Sequence, residues 1–280
     1  MEMFSALEED YKIEELDLSN RNLSELPDLT RYTNLKKLNC AGNNLTYLEN
    51  LPESILELNC SCNKLTHLDN LPIHLQKCKC NNNKITQLDN LPLYLTDLIC
   101  YKNKITLLEH LPPNLIFLDC HNNALTSLEK LPLHITILIC YKNQITQLDY
   151  LPLHMKELNC SYNNLTHLEY LPLHLNVLIC GFNKITQLEH LPLHLTILHC
   201  NNNLLTHLEY LPSQLKYLDC HNNKITYLDN LPNCLLVLHC YKNPLQYDFK
   251  PTLANLKKQK NKNNITLDTH IDKIHKYKCD

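Results

Sequence analysis

The sequence predicts a parallel β solenoid, and three observations predict it. Cysteine recurs every 20 residues, from Cys40 through Cys60 and Cys80 to Cys240. Asparagine follows each of these three residues later, from Asn43 to Asn243 without a break. Leu38 and Cys40 stand two apart with a variable residue between them, and that spacing recurs along the chain. Alternation of period two marks a strand with one buried face. A strict period of this length marks stacked units that bury apolar side chains only against their neighbours.

One unit runs from Leu35 to Ser54, and the next begins at Ile55. Later units begin at Leu75, Leu95, Leu115, Ile135, Met155, Leu175, Leu195, Leu215 and Leu235. A longer first unit starts at Ile13 and takes 22 residues to reach Leu35, which makes twelve units. A short strand is expected at about residues 37–41 and at each equivalent. Returning every 20 residues, these strands stack parallel and in register on a concave face; at ~4.8 Å each, twelve span roughly 50–60 Å. The asparagine amide is expected to bond backbone in its own turn and in the adjoining coil. Buried turn backbone needs such partners, and losing one costs about 1–3 kcal/mol. Leu45, Leu48 and Leu51 point back inside, and Pro52 fixes an extended return. Too few residues remain for a full helix, so the convex face is expected to be extended or single-turn 3₁₀.

The expected division is residues 1–12 as an acidic N-terminal cap, 13–248 as the solenoid and 249–280 as a basic C-terminal cap or tail. Within the last, Pro251–Leu256 is expected to begin a short helix covering the final coil.

Net charge is −3, which argues against nucleic acid as a partner of the whole chain. The ends are polarised, with nine acids among residues 1–30 and eight lysines among residues 250–280. The lysine run has only Tyr277 as an aromatic neighbour, so neither nucleic acid nor membrane is assigned to it. The first ten residues have no basic start and no apolar core, so no signal peptide is expected. No stretch approaches the ~18 apolar residues of a membrane span. A cytoplasmic location follows, with cysteines kept as thiols. Asn44-Leu45-Thr46 and its equivalents are then by-products of the repeat rather than glycosylation sites. The richness in Asn, Lys, Ile and Tyr suggests an AT-rich genome.

The pattern Leu-x-x-Leu-x-Cys-x-x-Asn-x-Leu/Ile from Leu35 to Leu45, followed by Leu51-Pro52, resembles the leucine-rich repeat. The 20-residue length is similar to its shortest subclass, found in bacterial effectors and giant-virus proteins. The likeness covers residues 13 to about 246, including Asn243-Pro244-Leu245, which resembles a common last-repeat ending. Cysteine at the third core position departs from the usual aliphatic residue. The resemblance implies a β-dominant member of the α/β-horseshoe class that binds another protein. It carries over no activity, no cofactor and no small-molecule substrate. For a viral or effector protein the partner would be a host protein in the host cytoplasm. A fold of this kind specifies architecture far better than function.

The ladder cysteines read as small apolar filler. Their parallel Cβ vectors suit a disulfide poorly, and a row of thiols cannot surround a tetrahedral zinc. Cys62, Cys78, Cys234 and Cys279 fall outside the ladder. His74, His134, His154, His174 and His194 lie in the convex return and read as solvated surface.

Residues flanking Leu38 and Cys40, and their equivalents, point into the concave groove. The first units are polar there: Lys37, Asn39, Glu57, Asn59, Lys77 and Lys79. Ile99, Tyr101, Phe117, His121, Ile137, Ile139 and Tyr141 follow. After Glu157, Asn159 and Ser161 come Val177, Ile179, Phe182, Ile197, His199, Tyr217, Asp219, His221, Val237, His239 and Tyr241. The two apolar and aromatic groups, with their histidines and Asp219, are the expected partner-binding residues. Against this stands the fact that β-branched residues simply suit strands. A second reading belongs to another class. His199, Asp219 and His239 share one strand position in three successive units, with His221 beside them, a set suited to a metal or to proton transfer.

Overall fold

The structure is a computed structural model and describes residues 11–128 and 131–259. Twelve three-residue strands form one sheet in chain order. They begin with β1 (Glu15–Asp17) and β2 (Lys37–Asn39). β6 (Phe117–Asp119), β7 (Ile137–Ile139), β10 (Ile197–His199), β11 (Tyr217–Asp219) and β12 (Val237–His239) carry the residues of most interest. Every described pair is parallel and in register, with Leu16 opposite Leu38 and Leu38 opposite Leu58. A central leucine, or Cys78 in one strand, between two groove-facing residues gives most strands their alternating burial.

The strands are shorter than the expected 37–41, but pairing continues past them. Cys40 N–H donates to Asn59 O at 2.8 Å, and Gly42 N–H to Ser61 O at 3.0 Å. The direction then reverses, with Lys64 N–H donating back to Leu45 O at 2.8 Å. Position 42 and its equivalents are left-handed, at φ 68° for Gly42 and 57° for Asn82. That local conformation bends the chain out of the sheet.

The asparagines do what their spacing predicts. Asn63 Nδ2 donates to Cys60 O at 3.1 Å and to Cys40 O in the preceding coil at 3.0 Å, while its Oδ1 accepts from Leu45 N–H at 3.0 Å. Asn243 repeats the set on Cys240, Cys220 and Ile225. Each amide therefore fastens its own corner to the coil before it. No buried side-chain nitrogen or oxygen lacks a partner among the described residues. Inside, Leu35, Cys40, Leu45 and their equivalents in the inner coils are fully buried, and Leu48 nearly so. The return is extended, with one β-turn closed by Ile55 N–H on Pro52 O at 3.2 Å. Among the described residues that face contains no 3₁₀ segment, so the extended alternative holds.

Two ends need covering in any solenoid. At the first, Tyr11 packs on Tyr32 with ring centroids 5.4 Å apart. At the last, helix α1 (residues 253–259) lays Leu256 on the final coil. Lys257 Nζ donates to Asn233 O and Leu235 O, both at 2.8 Å. The acids of residues 1–10, the lysines beyond residue 259 and Cys279 lie outside the described residues. No described helix is long and apolar enough to cross a membrane.

Candidate functional site

Strand register turns the groove into a lattice, with one side chain per coil in each row. In the row after β6 the rings of Tyr101, His121 and Tyr141 form a column, with centroids 4.2 Å apart at both steps. His121 Nδ1 lies 2.6 Å from Asp119 Oδ1, two residues back on the same strand face. A carboxylate only accepts, so Nδ1 carries a proton, and in the neutral ring Nε2 presents a lone pair. No described residue bonds that Nε2. Ile99, Phe117, Ile137 and Ile139 surround the column, each half-buried against its neighbours rather than bare. Burial, then Asp119, raises the Tyr141 hydroxyl above the usual phenol range, so it remains a neutral donor.

Five coils on, the same pentapeptide builds a second cluster. Asp219 Oδ1 accepts from His221 Nδ1 at 2.7 Å and from His221 N–H at 3.2 Å. His199 Nδ1 and His239 Nδ1 each stand 3.9 Å from Asp219 Oδ2. Tyr241 stacks on His221 at 4.5 Å and Tyr217 on His199 at 4.6 Å, and the Tyr217 hydroxyl meets His239 Nδ1 at 3.2 Å. Burial lowers the His199 pKa; Asp219 opposes the shift and His239 adds to it.

The structure brings all four residues of the alternative site together around Asp219. His221 Nε2 takes a hydrogen bond from Asn202 Nδ2 at 3.1 Å, so both of its ring nitrogens are engaged. Among the described residues no group of three or more His, Cys, Asp or Glu is arranged to hold a metal ion. Asp219 also departs from its expected place on the partner-facing surface. Only 7% exposed, it lies beneath the imidazoles, bonded to His221 and within 3.9 Å of His199 and His239.

Val177, Ile179 and Ile197 are half-buried like the middle group, while Val237, His239 and Tyr241 are open, β12 being the last strand among the described residues. Phe182 lies in the left-handed turn row (φ 56°), not on a strand, and stacks on Tyr162 at 4.1 Å. Sequence reasoning missed Tyr162 and Asp119. The Asp119-Cys120-His121 triplet, repeated as Asp219-Cys220-His221, was the available signal.

The first units differ, since several of their polar groove residues are paired. Lys37 pairs with Glu15 at 2.7 Å and Lys77 with Glu57 at 3.3 Å. Behind the groove the described cysteines are free thiols. Burial pushes Cys40 and Cys180 up to about 12, so they stay neutral and serve as filler. Cys78 takes a leucine's place in the core, Cys62 is exposed in the turn row, and Cys234 Sγ lies 2.7 Å from Ser213 O.

No protein-family model and no curated protein matches the chain. Solved structures do. YopM from Yersinia enterocolitica WA-314 is 33% identical with a TM-score of 0.73, over 82% of this chain and 56% of that one. The functional domain of InlJ from Listeria monocytogenes, described as including a cysteine ladder, is 33% identical with a TM-score of 0.64, over 83% and 49%. YopM from Yersinia pestis, described as a leucine-rich effector protein, is 27% identical with a TM-score of 0.64, over 83% and 78%. The chain thus spans about half the length of the first two. With its coil geometry, asparagine ladder and these neighbours, the chain is a leucine-rich-repeat protein built on the short 20-residue unit.

Proposed function

We propose that the chain is a non-enzymatic module that binds another protein along its concave groove, centred on β6 and β7. The observation that carries this reading is the Tyr101–His121–Tyr141 column, with His121 Nε2 unengaged amid Ile99, Phe117, Ile137 and Ile139. Aromatic anchors within a partly apolar surface are what protein interfaces use for most of their affinity. The partner segment is apolar with one N–H or O–H donor to meet the imidazole. The second group, from Val177 to Tyr241, extends the contact toward the C-terminal end. The ion-paired first units give it little, since exposed pairs of that kind contribute little energy. The effector-like neighbours support a partner of host origin and a place in host cytoplasm.

Affinity capture from the native cell, comparing wild type with Phe117→Asp plus Tyr141→Asp, tests the reading. Both side chains are half-exposed, so the fold should survive. Capture of a specific partner should fall at least about tenfold, the effect of losing a single ~1.4 kcal/mol contact. Undiminished capture by the folded double variant would remove the groove from consideration.

A further inference from the structure

A row of bare aliphatic side chains lies outside the groove, at the β-turn that precedes the strands. They are Ile73 (61% exposed), Leu93 (67%), Leu133 (76%), Leu153 (74%), Leu173 (74%) and Leu193 (75%). Each is the first central residue of its turn, directly after the proline. The turn does not require an apolar residue there. Glu53, Ser213 and Asn233 hold the same position, and their turns close at 3.2, 3.0 and 3.1 Å on Pro52, Pro212 and Pro232. The leucine turns close no better, at 3.1 Å on Pro152 and 3.0 Å on Pro172. Neither local geometry nor core burial therefore accounts for these leucines.

The apolar run is also bounded. From Ile73 to Leu193 every coil presents an apolar residue at this position, with exposed Pro113 filling the remaining place. Glu53 ends the run on one side and Ser213 on the other. Six such side chains, each burying on the order of 100 Å² when covered, present about 600 Å². That is at the upper limit of what a monomer's surface usually leaves bare.

We propose that this stripe is the face through which two copies of the chain associate. Two such stripes in contact bury about 1,200 Å², the area at which specific interfaces begin. Pitch selects the occupant. The imidazoles one residue along repeat at 6.3 Å between His154 and His174 and at 6.2 Å between His174 and His194. Only a partner with the same pitch makes an equivalent contact at every coil, and a second copy has it by construction. A two-fold axis through the middle of the stripe sets like against like, giving the isologous contact most common among homodimers. The grooves of both copies stay open, so the pair presents two binding surfaces.

Sedimentation velocity on the full chain over a wide concentration range tests this. Wild type should show a concentration-dependent species of twice the 32.8 kDa chain mass. Leu153→Asn plus Leu173→Asn should weaken pairing by on the order of a hundredfold. Its melting temperature, measured where both proteins are single chains, should not change, because both leucines are three-quarters exposed. A wild type that stays single at every concentration overturns the proposal. So does one that stays single but pellets with phosphatidylcholine vesicles, or a variant that pairs as tightly as wild type.

Discussion

Asp119-Cys120-His121-Asn122-Asn123 and Asp219-Cys220-His221-Asn222-Asn223 are the same pentapeptide in two places. In both, the carboxylate holds the imidazole Nδ1, at 2.6 and 2.7 Å, and the next coil's tyrosine stacks on the ring. The outcomes differ because the neighbouring coils differ. Before His221 stands Asn202, whose amide occupies Nε2; the equivalent residue before His121 is Lys102. Asp219 has histidine on both sides in its row, while Asp119 has Ile99 and Ile139. One copy is a closed polar cluster and the other an open acceptor in apolar surroundings. In a solenoid the chemistry of a motif is thus set by the residues 20 before and after it.

The largest test of that contrast is removal of the carboxylates. Asp219→Ala leaves two His221 donors unpaired in a largely buried site and removes the carboxylate that His199 and His239 face at 3.9 Å. The expected loss is about 2–3 kcal/mol of unfolding free energy by urea titration. Asp119→Ala, which affects one imidazole, should cost about 1–2 kcal/mol. Equal losses would mean that His199 and His239 gain nothing from Asp219. A smaller effect is expected for Asn202→Ala, about 1 kcal/mol or less. It should release His221 Nε2, visible as a changed imidazole nitrogen shift, while the His121 signal stays put. The smallest concerns pH. The folded-state pKa of His199 lies below its ordinary value, chiefly through burial. As pH falls below ~6.5 the unfolded chain takes up a proton that folded His199 declines, so stability drops across that window. His199→Asn should flatten that part of the stability–pH curve, and an unaltered slope would place the uptake elsewhere.

The fold was legible because its determinants repeat. Cys40, Asn43 and Leu45 recur so regularly that the strand, the corner and the return could each be placed, and twelve parallel strands follow. The groove rows were legible for the same reason, since a period of two laid on a period of 20 fixes the neighbours of every residue. What stayed hidden depends on side-chain size and local φ. Asp219 was placed facing outward, and its direction was right, but the large rings beside it cover a short carboxylate. Phe182 was counted with the strands because it is one residue past Gly181, where the chain has already entered the left-handed turn. The turn leucines after each proline drew no reading of their own, because the spacing that places Leu51 and its equivalents inside says nothing of what the next residue meets.

The asparagine ladder has a consequence for how such a chain can change. Every amide joins its own corner to the one before, and every corner is alike. Excising or duplicating one whole 20-residue segment therefore hands each amide an equivalent partner and leaves no group stranded. Adding a single residue instead displaces all later corners from their mates at once. Genetic expansion by complete modules is conformationally neutral here, and the reach of the protein becomes adjustable in increments of one strand spacing, ~4.8 Å.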